Sequence, residues 1–254
     1  MKSRTIPISR PRRFTQDLMV LARNVPTVPV QRRFLLKSVA SARLLAGRPS
    51  WPALFLKAYG AVAQRMPELR RAYVQLPWPH LVEYPQSVAS IAVERQYEGE
   101  PAVFFAKVGD PANHSLPNLN DLIRGFANRP LNEVKPFRKL LSLARFPTPI
   151  RRGAMWLGLN LARTRAAQFG TFGLSVYSSL GAESLHPISP LTTTLTYGVI
   201  GANGRVNVRL VYDHRVLDGG TVARALAALE AEMNGSILNE LRSMSTIGLR
   251  AIAA

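Results

Sequence analysis

The sequence predicts an α+β fold: a single domain over residues 1–254, with helices packed on a largely antiparallel or mixed sheet. Three observations carry this expectation. Apolar residues recur at two-residue spacing in some stretches and at three- to four-residue spacing in others, without regular alternation of the two kinds. Two strand-like runs, 87–94 and 102–108, flank the turn residues Glu98-Gly-Glu-Pro101, which is a strand–turn–strand pattern. A third run, Val206-Asn-Val-Arg-Leu-Val-Tyr212, leads through a histidine-bearing loop into a helical repeat. At 254 residues the chain can bury one sizeable core, and an apolar content of 47% argues against disorder.

In chain order, residues 1–14 are basic and proline-bearing and read as an extended arm. A short helix over 14–22 places Phe14, Leu18, Leu21 and Ala22 on one side, and Pro26 and Pro29 close it. Residues 30–39 read as a strand. Trp51, Leu54, Phe55, Ala58, Val62 and Met66 recur at helical steps, so 51–65 is a core helix with Pro52 in its first turn. The stretch 76–85 is turn-rich. A loop over 111–117 precedes helices at 118–128 and 134–145. Pro147 and Pro149 interrupt the chain, and 150–169 reads as one long helix. Gly201-Ala-Asn-Gly204 carries the Asn-Gly pair that favours a tight hairpin turn before the strand at 206–212. In the last helix Val222, Leu226, Leu229 and Met233 keep helical spacing, and Asn234-Gly235 signals its end.

The histidine-bearing loop is the most informative stretch. Tyr212-Asp-His-Arg-Val-Leu-Asp-Gly219 resembles the His-x-x-x-Asp-Gly signature of the dihydrolipoamide acyltransferase cores of 2-oxoacid dehydrogenase complexes, which chloramphenicol acetyltransferase shares. A second block, Gly170-Thr-Phe-Gly-Leu-Ser175 followed by Ser179-Leu-Gly181, Ile188-Ser-Pro190 and Tyr197-Gly198, is similar to that family's Gly-Thr-Phe-x-x-Ser block and the proline-bearing strand after it. The resemblance is strong from about Gly170 to Gly235. It implies a chloramphenicol acetyltransferase-like two-layer sandwich and a homotrimer, or a multiple of trimers, with active sites between subunits.

The resemblance also implies roles. Acyl transfer from a thioester needs a base for the incoming hydroxyl, amine or thiol and a donor for the oxyanion. His214 is the candidate general base, since a neutral imidazole accepts and returns a proton near working pH; the plain alternative is a satisfied histidine at a strand end. Ser175 is the candidate oxyanion donor, with Ser178 and Ser179 as rivals because Ser175-Val-Tyr-Ser-Ser-Leu-Gly181 departs from the family's Ser-Asn-Leu-Gly. Asp218 stands where a helix N-cap belongs. In the family the corresponding aspartate pairs with an arginine to hold the histidine loop, and Arg12, seven residues before Met19, is its candidate partner. Gly219 and Gly220 would let backbone approach a ligand or a neighbouring loop. His80 and His186 read as structural.

The donor is expected to be a coenzyme A thioester, because no lipoyl carrier domain precedes the core; an acyl-dihydrolipoamide supplied in trans is the alternative. No metal-ligand spacing, dinucleotide-type glycine loop or cysteine occurs. The net charge of +18 invites a polyanion, coenzyme A among them, or marks a solvated basic face. A nucleic-acid partner is disfavoured, since no recognised binding motif is present. The helix at 150–169, with Met155, Trp156, Leu157, Leu159 and flanking arginines, allows peripheral membrane contact and a lipid acceptor; a trimer-packing helix is the plainer reading. No signal-peptide-like or membrane-spanning run is visible, so the expected location is cytoplasmic. The competing functional expectation is a non-catalytic trimeric scaffold core.

Overall fold

The computed structural model describes residues 3–252. After an extended segment at 3–9 come α1 (Arg10–Ala22), β1 (Thr27–Leu35), α2 (Lys37–Leu45) and α3 (Trp51–Arg65). A small hairpin, β2 (Arg71–Val74) and β3 (His80–Glu83), spans the turn-rich stretch. Next are β4 (Val88–Tyr97), β5 (Glu100–Gly109), α4 (Leu116–Asn128), α5 (Lys135–Leu143), α6 (Thr148–Asn160) and α7 (Ala162–Phe169). The remainder is β6 (Phe172–Leu174), β7 (Thr193–Tyr197), β8 (Arg205–Asp213), α8 (Gly219–Glu232) and α9 (Leu238–Ile252).

Six strands form one mixed sheet in the order β1-β8-β7-β6-β4-β5. β6 runs parallel to both its neighbours, and every other pair is antiparallel. The sequence expectation of an α+β fold with a mixed sheet and packed helices therefore holds. One face of the sheet is apolar and meets α3, which is buried at Ala53, Leu54, Phe55, Leu56, Ala58, Tyr59, Val62 and Ala63. Such a helix is apolar nearly all round because it is enclosed. Phe55 stacks on Tyr197 at 4.1 Å between ring centroids, and Tyr59 on Phe172 at 3.9 Å. The Tyr59 hydroxyl shares a 2.6 Å hydrogen bond with Thr193 Oγ1. Burial raises both phenols above their ordinary range. Each fully buried large apolar side chain in this layer contributes about 1.5–3 kcal/mol.

α1 lies against the opposite face at β5, with Phe14 and Phe105 centroids 6.0 Å apart. It is tied to α6 by Asp17, whose carboxylate is 1% exposed and accepts from Arg151 Nε and Arg152 Nε, both at 2.7 Å. The Arg151 guanidinium is buried too and spends its other nitrogens on Phe146 O and Thr148 Oγ1, so none of the buried charge is left unbonded.

Several boundaries differ from the sequence reading, each for a local reason. The extended arm ends at Ser9, not at residue 14, because Pro11 sits in the first turn of α1 where its missing N–H costs nothing. The strand expected at 30–39 starts earlier and stops at Leu35; Leu36 N donates to Gly204 O and the chain turns into α2. The β4–β5 turn is the two residues Glu98 and Gly99, both at positive φ, with Tyr97 paired to Glu100. The long helix expected at 150–169 is two helices broken at Leu161, which is extended. No proline or glycine stop marks the break. Arg165, buried in α7, donates to Leu159 O at 2.8 Å and so satisfies a free carbonyl at the end of α6. Gly158 lets the end of α7 fold back on α6, since a Cβ there would meet Phe169 Cε2 at 2.9 Å. Finally, Asn234-Gly235 does not end the last helix. The chain passes through a π-helical turn, Met233–Ile237, into α9, with Met233 and Ile237 fully buried.

Candidate active site

The end of β8 builds the histidine loop. Asp213 N donates to Thr192 O at 2.8 Å, which extends the β7–β8 pairing by one step. The Asp213 carbonyl then accepts from Val216 N and Leu217 N at 3.0 and 3.1 Å, closing a tight turn. The carboxylate of Asp213 is fully buried and takes a bidentate pair from Arg215, at 2.9 Å to Nε and 2.8 Å to Nη2, as well as the Arg215 amide at 3.0 Å. The Arg215 guanidinium lies 4.4 Å over the Tyr73 ring of the small hairpin. Behind it, Arg165 donates to Pro190 O at 2.7 Å. Burial lowers the Arg165 pKa, and the nearby Tyr84 and Asp213 oppose that shift.

This buried anchor sets the position of the histidine. His214 N donates to Pro26 O at 2.9 Å, so the backbone is held on both sides while the ring projects, half exposed. Its Nδ1 is 3.9 Å from Asp218 Oδ1, beyond hydrogen-bond length. Tyr212 lies beside it, 5.5 Å between centroids. Asp218 has the backbone of an N-cap, but its carboxylate makes no capping bond and is 88% exposed. Gly219 opens α8, and the Asp218 carbonyl accepts from Val222 N at 3.1 Å.

Ser175 comes directly after β6, its N donating to Leu195 O at 3.1 Å. Gly170 sets the height of that strand. Its φ is +94, and a Cβ there would lie 2.8 Å from Val88 O, so the residue before Thr171 must be glycine for β6 to enter beside β4. Ser175 borders two chambers: one of about 240 Å³ on the α1 side of the sheet, and one of about 370 Å³ bounded by Pro52 of α3 and by Ile123 and Ala127 of α4. Ser179 borders the larger of these, and Ser178 neither.

The register separates Ser175 from His214. Ser175 is level with Thr196, which pairs with Arg209, and His214 lies five residues further along that strand's direction. The separation is therefore roughly 17 Å along the strands and roughly 10 Å across them. A base and an oxyanion donor acting on one carbonyl must both come within about 3 Å of their targets, so the two residues of one chain do not form a site together.

Arg12 is not brought to Asp218. It stands on α1, largely exposed, with its Nε 3.8 Å from Glu100 Oε1. The loop-holding role expected of the Asp218–Arg12 pair falls instead to Asp213 with Arg215. Sequence reasoning passed over Asp213 as the residue before the histidine; a carboxylate two positions from an arginine at a strand end was the signal. It also passed over Thr194, whose hydroxyl is buried without a hydrogen-bond partner and whose side chain borders the smaller chamber with Ser175. Among the described residues no cluster of three His, Asp or Glu could hold a metal. His80 bonds Trp78 O and His186 bonds Thr27 Oγ1, both bonds being exposed.

The proposed lipid-facing set of the 150–169 stretch divides. Met155, Leu159, Arg151 and Arg165 point inward and are buried, while Ile150, Trp156, Leu157 and Leu161 remain exposed. Among the described residues no helix is long and apolar enough to cross a membrane.

No protein-family model and no curated protein matches the sequence. Solved structures do match in fold. A probable dihydrolipoamide acetyltransferase from Listeria monocytogenes is 18% identical with a TM-score of 0.63, over 91% of this chain and 94% of that one. The dihydrolipoamide acetyltransferase of Azotobacter vinelandii is 16% identical with a TM-score of 0.65, over 96% and 94%. Chloramphenicol acetyltransferase is 15% identical with a TM-score of 0.50, over 91% and 100%. The fold of this chain is that of the acyltransferase cores that the sequence motifs resemble.

Proposed function

We propose that this chain is an acyltransferase whose active site forms between copies of itself, His214 of one copy facing Ser175 of the next. The observation that carries this is the pairing of two open half-sites on one chain: a half-exposed imidazole on a rigidly anchored loop, and a serine bordering two chambers about 20 Å away by strand spacing. Exposed Tyr177, Leu180, Leu185 and Ile188 around the serine give that edge an apolar surface to bury against a neighbour. For the Azotobacter protein a serine, a histidine and an asparagine four residues after the histidine are named in the catalytic mechanism. Here Asp218 stands four residues after His214.

In this reading His214 Nε2 removes the proton of the acceptor hydroxyl, amine or thiol as that atom attacks the thioester carbonyl. The oxyanion accepts a hydrogen bond from the Ser175 hydroxyl. Collapse breaks the carbon–sulfur bond, and the imidazolium returns its proton to the departing thiolate. Asp218 lies on the Nδ1 side of the ring, 3.9 Å away. A coenzyme A thioester is the donor we favour, with a lipoyl thioester as the other candidate. The matching scaffold reading, a trimeric core that assembles without turnover, draws support from the placement of Arg12 at Glu100 rather than at Asp218.

Two experiments separate these readings. Ser175→Ala should lower the rate of thiol release from acyl-coenzyme A by about 10²–10³ with little change in KM; an unchanged rate would remove the serine from the mechanism. Chains carrying His214→Ala and chains carrying Ser175→Ala should each be nearly inactive alone. Co-assembled in equal amounts, they should recover about a quarter of the wild-type rate, because random pairing leaves that share of interfaces intact. No recovery in mixed assemblies of normal size would exclude a site shared between copies.

A further inference from the structure

A third chamber, about 220 Å³, lies between α1, α5, the end of α7 and the outward side of β5. Its walls are mostly apolar, formed by Phe14, Leu18, Phe105, Leu140, Leu143 and Phe169. Two amines enter it, Lys107 from β5 and Lys139 from α5, and they are the charged groups lining it among the described residues. Neither takes part in any ion pair within the described chain. The Lys107 amine is lowered to about 8 by burial first and by the Lys139 charge second. An unpaired cation against an apolar wall is costly, and an anion placed between two such amines relieves both the desolvation and the repulsion.

We infer that this chamber binds a straight-chain aliphatic carboxylate, its head between Lys107 and Lys139 and its chain against Phe14, Leu140 and Phe169. Ser90 and Gln168 also border the space and can donate to the second carboxylate oxygen. A chamber of about 220 Å³ suits a medium-length chain, and octanoate is the probe chosen for it. A phosphate diester or a nucleotide is disfavoured by the apolar walls. The chamber shares Leu18, Phe105, Ser189 and Leu191 with the smaller chamber beside Ser175, so the two abut. The inference concerns occupancy and does not rest on acyl transfer.

Equilibrium binding of radiolabelled octanoate to the full chain near neutral pH tests it, with 1-octanol and octylamine as competitors. Octanoate should bind saturably at one site per chain, and octanol should compete about tenfold more weakly or worse. Octylamine should not compete. Lys107→Met keeps the stem and removes the charge, so it should fold and should weaken octanoate about tenfold while leaving octanol unchanged. Lys139→Gln, at an exposed position of α5, provides an independent arm with the same expected direction. Wild-type affinity should fall as pH rises through about 8, where the Lys107 amine loses its proton, and the Lys107→Met chain should lack that step. Equal binding of octanol and octanoate, unchanged octanoate affinity in folded Lys107→Met, or no saturable binding at all would overturn the inference.

Discussion

Replacing His214 by alanine should lower turnover by about 10²–10⁴ and leave thermal stability and assembly unchanged. The ring is half exposed and makes no hydrogen bond within the described chain, while the anchoring contact of its residue is made by the backbone N–H to Pro26 O. Nothing that holds the fold is therefore removed. The base is lost outright, and the remaining rate would come from positioning and from the Ser175 donor alone. Thiol release measured at saturating acyl-coenzyme A, beside a melting curve and a sedimentation profile, checks all three expectations. A folded, assembled variant that turns over at the wild-type rate would leave the scaffold reading standing and the catalytic one without its central residue.

The opposite pattern is expected at the preceding position. Asp213→Ala should cost about 3–5 kcal/mol of stability, because it leaves the Arg215 guanidinium without its bidentate carboxylate and removes the negative charge near the buried Arg165. For a chain of this size that corresponds to a fall in Tm of roughly 6–20 °C. Turnover should fall as well, since the tight turn carrying the imidazole loses its side-chain ties to Arg215. Asp213→Asn keeps the shape and some hydrogen bonds and should fall between the two. If Asp213→Ala melted within about 1 °C of wild type, the Asp213–Arg215 anchor would contribute little.

The contrast between the two positions also shows what a linear reading can reach. α3 was legible to the residue because one apolar repeat, opened by Pro52, dictates an enclosed helix whatever surrounds it. The β7–β8 hairpin and the strand–loop–helix of 206–233 were legible for the same reason: their signals are local. The break at Leu161 and the continuation past Gly235 were not. The first is made by Arg165 reaching back to Leu159 O, and the second by the enclosure of Met233 and Ile237, both tertiary effects that override the local code. The site divides in the same way. His214, Ser175 and Asp218 are singled out by resemblance to a family's motifs. The partner that holds the loop was assigned to Arg12, near the far end of the chain, when a bidentate pair two residues apart does that work. The carboxylate two positions from an arginine was a faint signal, and its weight shows only once Asp213 is seen to be fully buried.

The unbroken run of α8, its π-helical turn and α9 makes the stretch from Gly219 to Ile252 a single rod about 50 Å long at helical rise. One tip adjoins the histidine loop, and the other reaches the carboxy-terminal end of the chain. The core grips it along its length at Val222, Leu226, Leu229, Met233, Ile237 and Leu241, so the histidine loop starts from a tip that is clamped rather than free.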